Sequence, residues 1–259
     1  MKTNKLIKEL DSTYKIRSVE FNNLISFLKY NHLIVEDFNK KTVSDLVYKG
    51  RNAKERLYFL FNDCLNAAGG NNLTRNGDTM TQFLEALNKL PSSKQISFDD
   101  FCEIFYVDND YTGKSLFVKL KSNYSNFKYK KAALFIKQLH YLQQTDERIF
   151  ISDQRLNIIR PIPFDSVIAF VITIILKLKE IPSSSHAEIF NDWASETLLE
   201  EAYILEDIWF WGYFSTTITE KKRKLEYNMA KVNMNIWDFP ANLENHNDKF
   251  IQFIELVNT

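Results

Sequence analysis

The chain has 259 residues, 33 basic and 33 acidic side chains with a formal net charge of zero, and 45% hydrophobic residues. That hydrophobic share supports a real core and excludes a disordered chain, while the balanced charge leaves any contact with nucleic acid to local clusters. Six glycines and five prolines leave few breaks, which favours helices.

The start, Met1-Lys2-Thr3-Asn4-Lys5, is polar and has no apolar signal core. Apolar residues recur at helical spacing over Leu6–Tyr14 and again over Ser18–Tyr30, the second through Phe21, Leu24, Ile25, Phe27 and Leu28. Ser44–Ala68 reads as a long helical stretch with Ser44 as N-cap and a break near Gly50. A loop is expected at Gly69-Gly70-Asn71-Asn72, continuing through Arg75-Asn76-Gly77-Asp78. Thr79–Leu90 is helical and ends at Pro91-Ser92-Ser93, and Ser97 caps a helix that runs to Tyr106 with Asp99 and Asp100 in its first turn. Asp108-Asn109-Asp110-Tyr111-Thr112-Gly113 is a break. It looks like the start of a calcium loop, but the closing glutamate is absent and calcium is not expected.

Two helices follow, Lys114–Lys121 and Lys130–Leu142, joined by Ser122–Lys128. Thr145–Arg160 reads as a connector that can hold a short hairpin, and Ser166–Leu178 as a core helix. The longest apolar run, Val167 to Leu176, is about half of what a bilayer span needs, so a soluble protein is expected. Glu188–Ala194 and Glu196–Phe214 are helical, and a tail runs from Thr219 to Thr259. The fold class expected is all-α, with strands incidental. Cys64 and Cys102 are far apart and the four histidines are scattered singly, so no metal or cofactor is expected. A reduced cytoplasmic setting is the default.

Three segments carry candidate chemistry. Lys131 lies about one residue inside the second helix of the helix–turn–helix pair. Exposed amides and the positive dipole end there favour a phosphate and disfavour an ammonium, so its pKa is expected to fall. A neutral lysine can attack a sugar C1′ carbon and form a Schiff base. The plain alternative is a solvated lysine at a helix start, and Lys128 and Lys130 are rivals that periodicity does not separate from it. Asp165 follows Pro161-Ile162-Pro163-Phe164 and opens the most apolar helix. It reads as an N-cap, and a cap carboxylate at the rim of an apolar pocket can also stabilise positive charge on a sugar. Asp207 and Trp211, four apart, face one side of a helix, where a carboxylate can accept N–H groups of a guanine-like base and an indole can stack on it. The alternative is a surface acid beside a core tryptophan. Residues 114–137 hold seven lysines and no acid, and a second run, Lys221-Lys222-Arg223-Lys224, reads first as a solvated face.

Taken together and in order, Lys131 with Phe135, Pro161-Ile162-Pro163-Phe164-Asp165, and Asp207 with Trp211 resemble the archaeal-type 8-oxoguanine DNA glycosylases of the helix-hairpin-helix superfamily. The matched region runs roughly from Leu116 to Phe214. The resemblance implies a helix-hairpin-helix glycosylase domain over 1–259, with two helical subdomains around a base-binding cleft: 1–113 plus the C-terminal tail, and 114–214. It implies Lys131 as nucleophile and Asp165 as catalytic carboxylate. Phe135, Asp207 and Trp211 become base-binding residues, and Lys128, Lys130 and Asn126 contact the DNA backbone. A base of double-stranded DNA is flipped and excised, with strand nicking by β-elimination. No metal or cofactor takes part, and a cytoplasmic, nucleoid-associated monomer is implied.

The sequence departs from the family in three places. The turn Ser122-Asn123-Tyr124-Ser125-Asn126-Phe127 has none of the glycines of the usual hairpin. Leu28 falls near the position of a base-reading glutamine, and all four tryptophans lie in the C-terminal third, so a reader tryptophan is missing. These changes motivate a variant in which the same chemistry acts on a modified base of foreign DNA. A non-catalytic DNA-binding module and a helical scaffold are the readings outside enzymology.

Overall fold

The computed structural model describes residues 2–67, 73–107, 111–124, 126–151, 161–219, 222–233 and 243–259. The described chain is mostly helical, with one two-stranded sheet. In chain order the helices are α1 (Lys2–Tyr30), α2 (His32–Val47), α3 (Ala53–Asn66), α4 (Leu73–Leu87), α5 (Phe98–Glu103), α6 (Gly113–Asn123), α7 (Tyr129–Leu142), α8 (Ser166–Leu176), α9 (Ala187–Leu198) and α10 (Asp207–Phe214). The antiparallel pair β1 (Thr216–Thr219) and β2 (Lys222–Leu225) follows, then α11 (Met229–Asn233) and α12 (Asn247–Asn258).

The chain forms two compact units, Met1–Phe38 with Phe164–Thr259, and Asn39–Pro163. This differs from the expected division into 1–113 plus tail and 114–214. The reason is packing. Helix α1 shares a core with α8, α9 and α12, while the apolar residues from Val43 to Phe150 close a separate core.

In the first unit, α1 bends at Arg17, whose backbone leaves helical geometry between the two expected amphipathic stretches. Helix α8 is central, and Gly212 of α10 lies against it. A Cβ at Gly212 would stand 2.6 Å from Val167 Cγ1 and 3.3 Å from Val171 Cγ2. The expected helix Glu196–Phe214 is broken. Leu199 has φ 51° and ψ −126°, residues Leu199–Glu206 form a 3-10 turn, and α10 starts at Asp207. A non-glycine residue in that conformation ends a helix, yet nothing in its side-chain type signals this.

In the second unit, α3 packs on α7 and α4, and α6 packs on α7. Its centre is an aromatic stack: Phe61 lies parallel to Phe83 at 3.7 Å and to Phe127 at 4.4 Å between ring centroids. Asn52, not Ser44, caps α3 by accepting from Glu55 N. The Ser44 hydroxyl instead donates to Glu147. Arg75–Asp78, expected as loop, is helical within α4. Ser97 caps α5 as expected. Thr112 and Ser115 form a reciprocal capping box at the start of α6. Within the described part of the connector expected over Thr145–Arg160, Ile96 N donates to Ile149 O and Ile151 N to Ile96 O, a single parallel bridge. Gly69–Asn72, Asp108–Asp110, Ser125, residues 152–160, Lys221 and Trp237 lie outside the described residues.

Candidate functional site

In the second unit, α7 opens at Tyr129 after Lys128, whose side chain is exposed and makes no capping bond. Lys131 is therefore the third residue of the helix. It is half-buried, and burial lowers its pKa. Sequence reasoning left Lys128, Lys130 and Lys131 open. Lys131 has its proton affinity lowered by burial. The amide of Asn126 donates to Asn76 Oδ1 and so is turned toward its own unit. Lys137, counted with the lysine-rich face, is buried, with Nζ 5.8 Å from the Tyr141 ring centroid.

Behind Lys131 runs a buried polar chain that the sequence did not reveal. The Cys64 thiol donates to Gln138 Oε1 at 3.0 Å, and Gln138 Nε2 donates to Asp63 Oδ2 at 2.7 Å. Burial pushes the Asp63 carboxyl up and the Cys64 thiol well above its ordinary value, so sulfur stays protonated and uncharged beside the lysine. Residues 131 and 138 are two helical turns apart, hence on one face. Phe135 has no exposed surface and meets Phe61, Phe83 and Phe127 edge-on. It is part of the aromatic core of its unit.

In the first unit, Asp165 occupies the predicted N-cap of α8. Its Oδ1 accepts from Val167 N at 2.8 Å and Ile168 N at 3.1 Å. In the run after Trp211, Lys222 and Lys224 are exposed, as expected of a solvated face, while Arg223 is half-buried. Lys222, Arg223 and Lys224 form β2, and Arg223 donates to Thr216 Oγ1 and Ser166 Oγ, both at 3.1 Å. The guanidinium thus sits at the first residue of α8, next to Asp165 in sequence. Lys231 lies near it, donating to Tyr213 O and Thr216 O, and its pKa is lowered by burial and by the Arg223 charge.

Asp207 and Trp211 share α10 one turn apart, as the spacing predicts, and neither has exposed surface. Asp207 is thus no surface acid. Trp211 meets Phe27, Phe210 and Phe250, and its indole N–H has no acceptor among the described residues. A buried donor left so costs about 1–3 kcal/mol, recovered when an acceptor arrives. The partner of Asp207 is His32 at the start of α2, with Nδ1 2.8 Å from Oδ2. His32 is separated from Asp207 by 175 positions, so no spacing rule finds it. Leu28, near the expected reader glutamine, is wholly buried in the core.

No group of three or more His, Cys, Asp and Glu residues that could hold a metal ion is present among the described residues. No described helix is long and apolar enough to cross a membrane. Comparison with family models, characterised proteins and solved structures finds nothing that matches this chain.

Proposed function

We propose that the protein is a DNA glycosylase with an accompanying lyase step, acting through Lys131 on a flipped, modified purine. The observation that carries the reading is the half-buried Lys131 in the first turn of α7, where burial holds its amine below the ordinary lysine pKa. A neutral amine is the form that has a lone pair to attack carbon. The α6–turn–α7 pair is read as the hairpin of the helix-hairpin-helix fold, although its turn carries no glycine.

Lysine Nζ adds to C1′ of the flipped nucleotide while the glycosidic bond breaks and its electron pair leaves with the base, which takes up a proton. Nζ loses a proton and the sugar ring opens to a protonated Schiff base. Loss of a C2′ proton then expels the 3′ phosphate, and water releases the lysine. Asp165, an acceptor fixed by two amides, is assigned to stabilise the positive charge that develops on the sugar. Asp207 is assigned the N–H edge of the base and Trp211 a place at its face, a contact that requires base entry to expose both, since neither has exposed surface. Arg223 with Lys222 and Lys224 supports the reading as phosphate contacts beside the start of α8. In this reading a monomer works on double-stranded DNA in the nucleoid, and no metal or cofactor is called for.

The target is 8-oxoguanine or a related base. A core leucine at position 28 and the missing reader tryptophan favour a second target within the same chemistry, a modified base of foreign DNA. The test is base release from a panel of duplexes, each with one modified base, by wild type and Lys131→Gln. Release of one base by wild type, lost in a folded and DNA-binding Lys131→Gln, is expected. No release across the panel, or release that survives Lys131→Gln, rejects the reading.

A further inference from the structure

A carboxylate withdrawn from water is costly unless a cation or several donors replace the solvent, and when isolated it takes up a proton instead. Asp207 has no exposed surface, so its charge depends on what surrounds it. What surrounds it is unusual. His32 Nδ1 lies 2.8 Å from Oδ2, and the imidazole meets Tyr203 edge-on at 5.6 Å. The other ring nitrogen, Nε2, is 3.7 Å from Glu36 on α2, and the buried Glu206 directly precedes Asp207.

We propose that His32 is a positioning and specificity residue: its imidazolium keeps Asp207 ionised, so that the carboxylate offers only acceptors and selects a base edge with adjacent N–H donors. This rests on the assignment of Asp207 as a base contact made above. An ionised carboxylate is acceptor-only, whereas a protonated one presents a donor beside an acceptor. The first matches the N1–H and exocyclic N–H of a guanine-type base. The second matches the acceptor–donor edge of an adenine- or cytosine-type base. Whether the proton sits on His32 or on Asp207 therefore decides which class of base is held.

The groups facing His32 act in one direction. Asp207, then Glu36 and Glu206, raise its pKa above the ordinary 6.5, while burial opposes them. The sign follows: the charged pair is fully present below the ordinary histidine value and is lost as pH rises through the raised one. Loss of the histidine proton leaves the carboxylate ionised, so capture of a guanine-type base persists at high pH; without His32, burial pushes the Asp207 carboxyl up, and capture then falls as pH drops.

The experiment compares wild type, His32→Gln and His32→Ala from about pH 5 to 9. One duplex carries 8-oxoguanine and one carries an abasic site, and both are trapped with borohydride. The abasic substrate needs the lysine but has no base to read. Wild type is expected to keep a nearly constant KM for the base-bearing duplex across that pH range. His32→Gln is expected to raise KM for that duplex about tenfold or more toward the acid end, with abasic trapping unchanged. Equal losses on both substrates, or no change on either, overturn the proposal. If wild type traps abasic DNA but no base-bearing duplex, the base-reading role fails while the lysine chemistry stands. Trapping of neither rejects the glycosylase reading and this proposal together. An NMR titration of His32 gives an independent check: its pKa is expected above 6.5 in wild type and lower in Asp207→Asn, and an unshifted histidine contradicts the pairing.

Discussion

Asp165 is assigned two roles, and substitution can separate them. As an N-cap it satisfies the amides of Val167 and Ile168, two of the four orphan donors at the start of α8. Asparagine caps about as well as aspartate, so Asp165→Asn keeps both hydrogen bonds. It loses the favourable term between a charge and the helix dipole, about 0.3–1 kcal/mol. Asp165→Ala removes the cap and costs about 1–2 kcal/mol. If the carboxylate also stabilises the sugar cation, losing its charge costs about 3 kcal/mol of transition-state energy, roughly a hundredfold in rate. The two variants thus rank oppositely to a purely structural role. Asp165→Asn is nearly as stable as wild type but at least about a hundredfold slower, and Asp165→Ala is less stable yet no slower than Asp165→Asn. Urea unfolding and single-turnover base release read the two quantities. An Asp165→Asn protein with wild-type rate would refute the catalytic assignment and leave Asp165 a cap.

Gly212→Ala should destabilise by about 1–3 kcal/mol in thermal unfolding, because the added methyl meets Val167 at 2.6 Å and the two helices must part. Unchanged stability would show that α8 and α10 are not so close. Phe135→Ala should cost about 3–5 kcal/mol by the same measurement, since the ring is wholly buried among Phe61, Phe83 and Phe127. A cost below about 1 kcal/mol would instead favour an open aromatic wall. Lys222→Glu and Lys224→Glu should each weaken DNA binding at every sequence and lower the salt slope by about one. An unchanged slope returns β2 to a solvated face.

The legible parts of this chain are those with local causes. The helix–turn–helix around Ser122–Phe127 follows from apolar spacing that stops and restarts, which puts Lys131 in the first turn of its helix. Asp165 was found as a cap because capping needs only a short polar side chain before an apolar run. Asp207 and Trp211 lie together because a helix of four residues' span preserves their face. What was not legible depends on distant contacts. His32 meets Asp207 through tertiary packing alone, as Cys64 meets Gln138. The burial of Phe135 depends on Phe61 and Phe83 arriving from two other helices. The break at Leu199 requires a left-handed backbone at a residue that rarely takes it, and the domain division depends on α1 joining the C-terminal half.

The most direct test of the central claim is borohydride trapping on duplex DNA that carries the released base, followed by mass mapping of the adduct. The account predicts a covalent protein–DNA product with DNA attached at Lys131, absent in Lys131→Gln and retained in Lys130→Gln and Lys128→Gln. An adduct at another lysine, or base release with no adduct under trapping conditions, would contradict it.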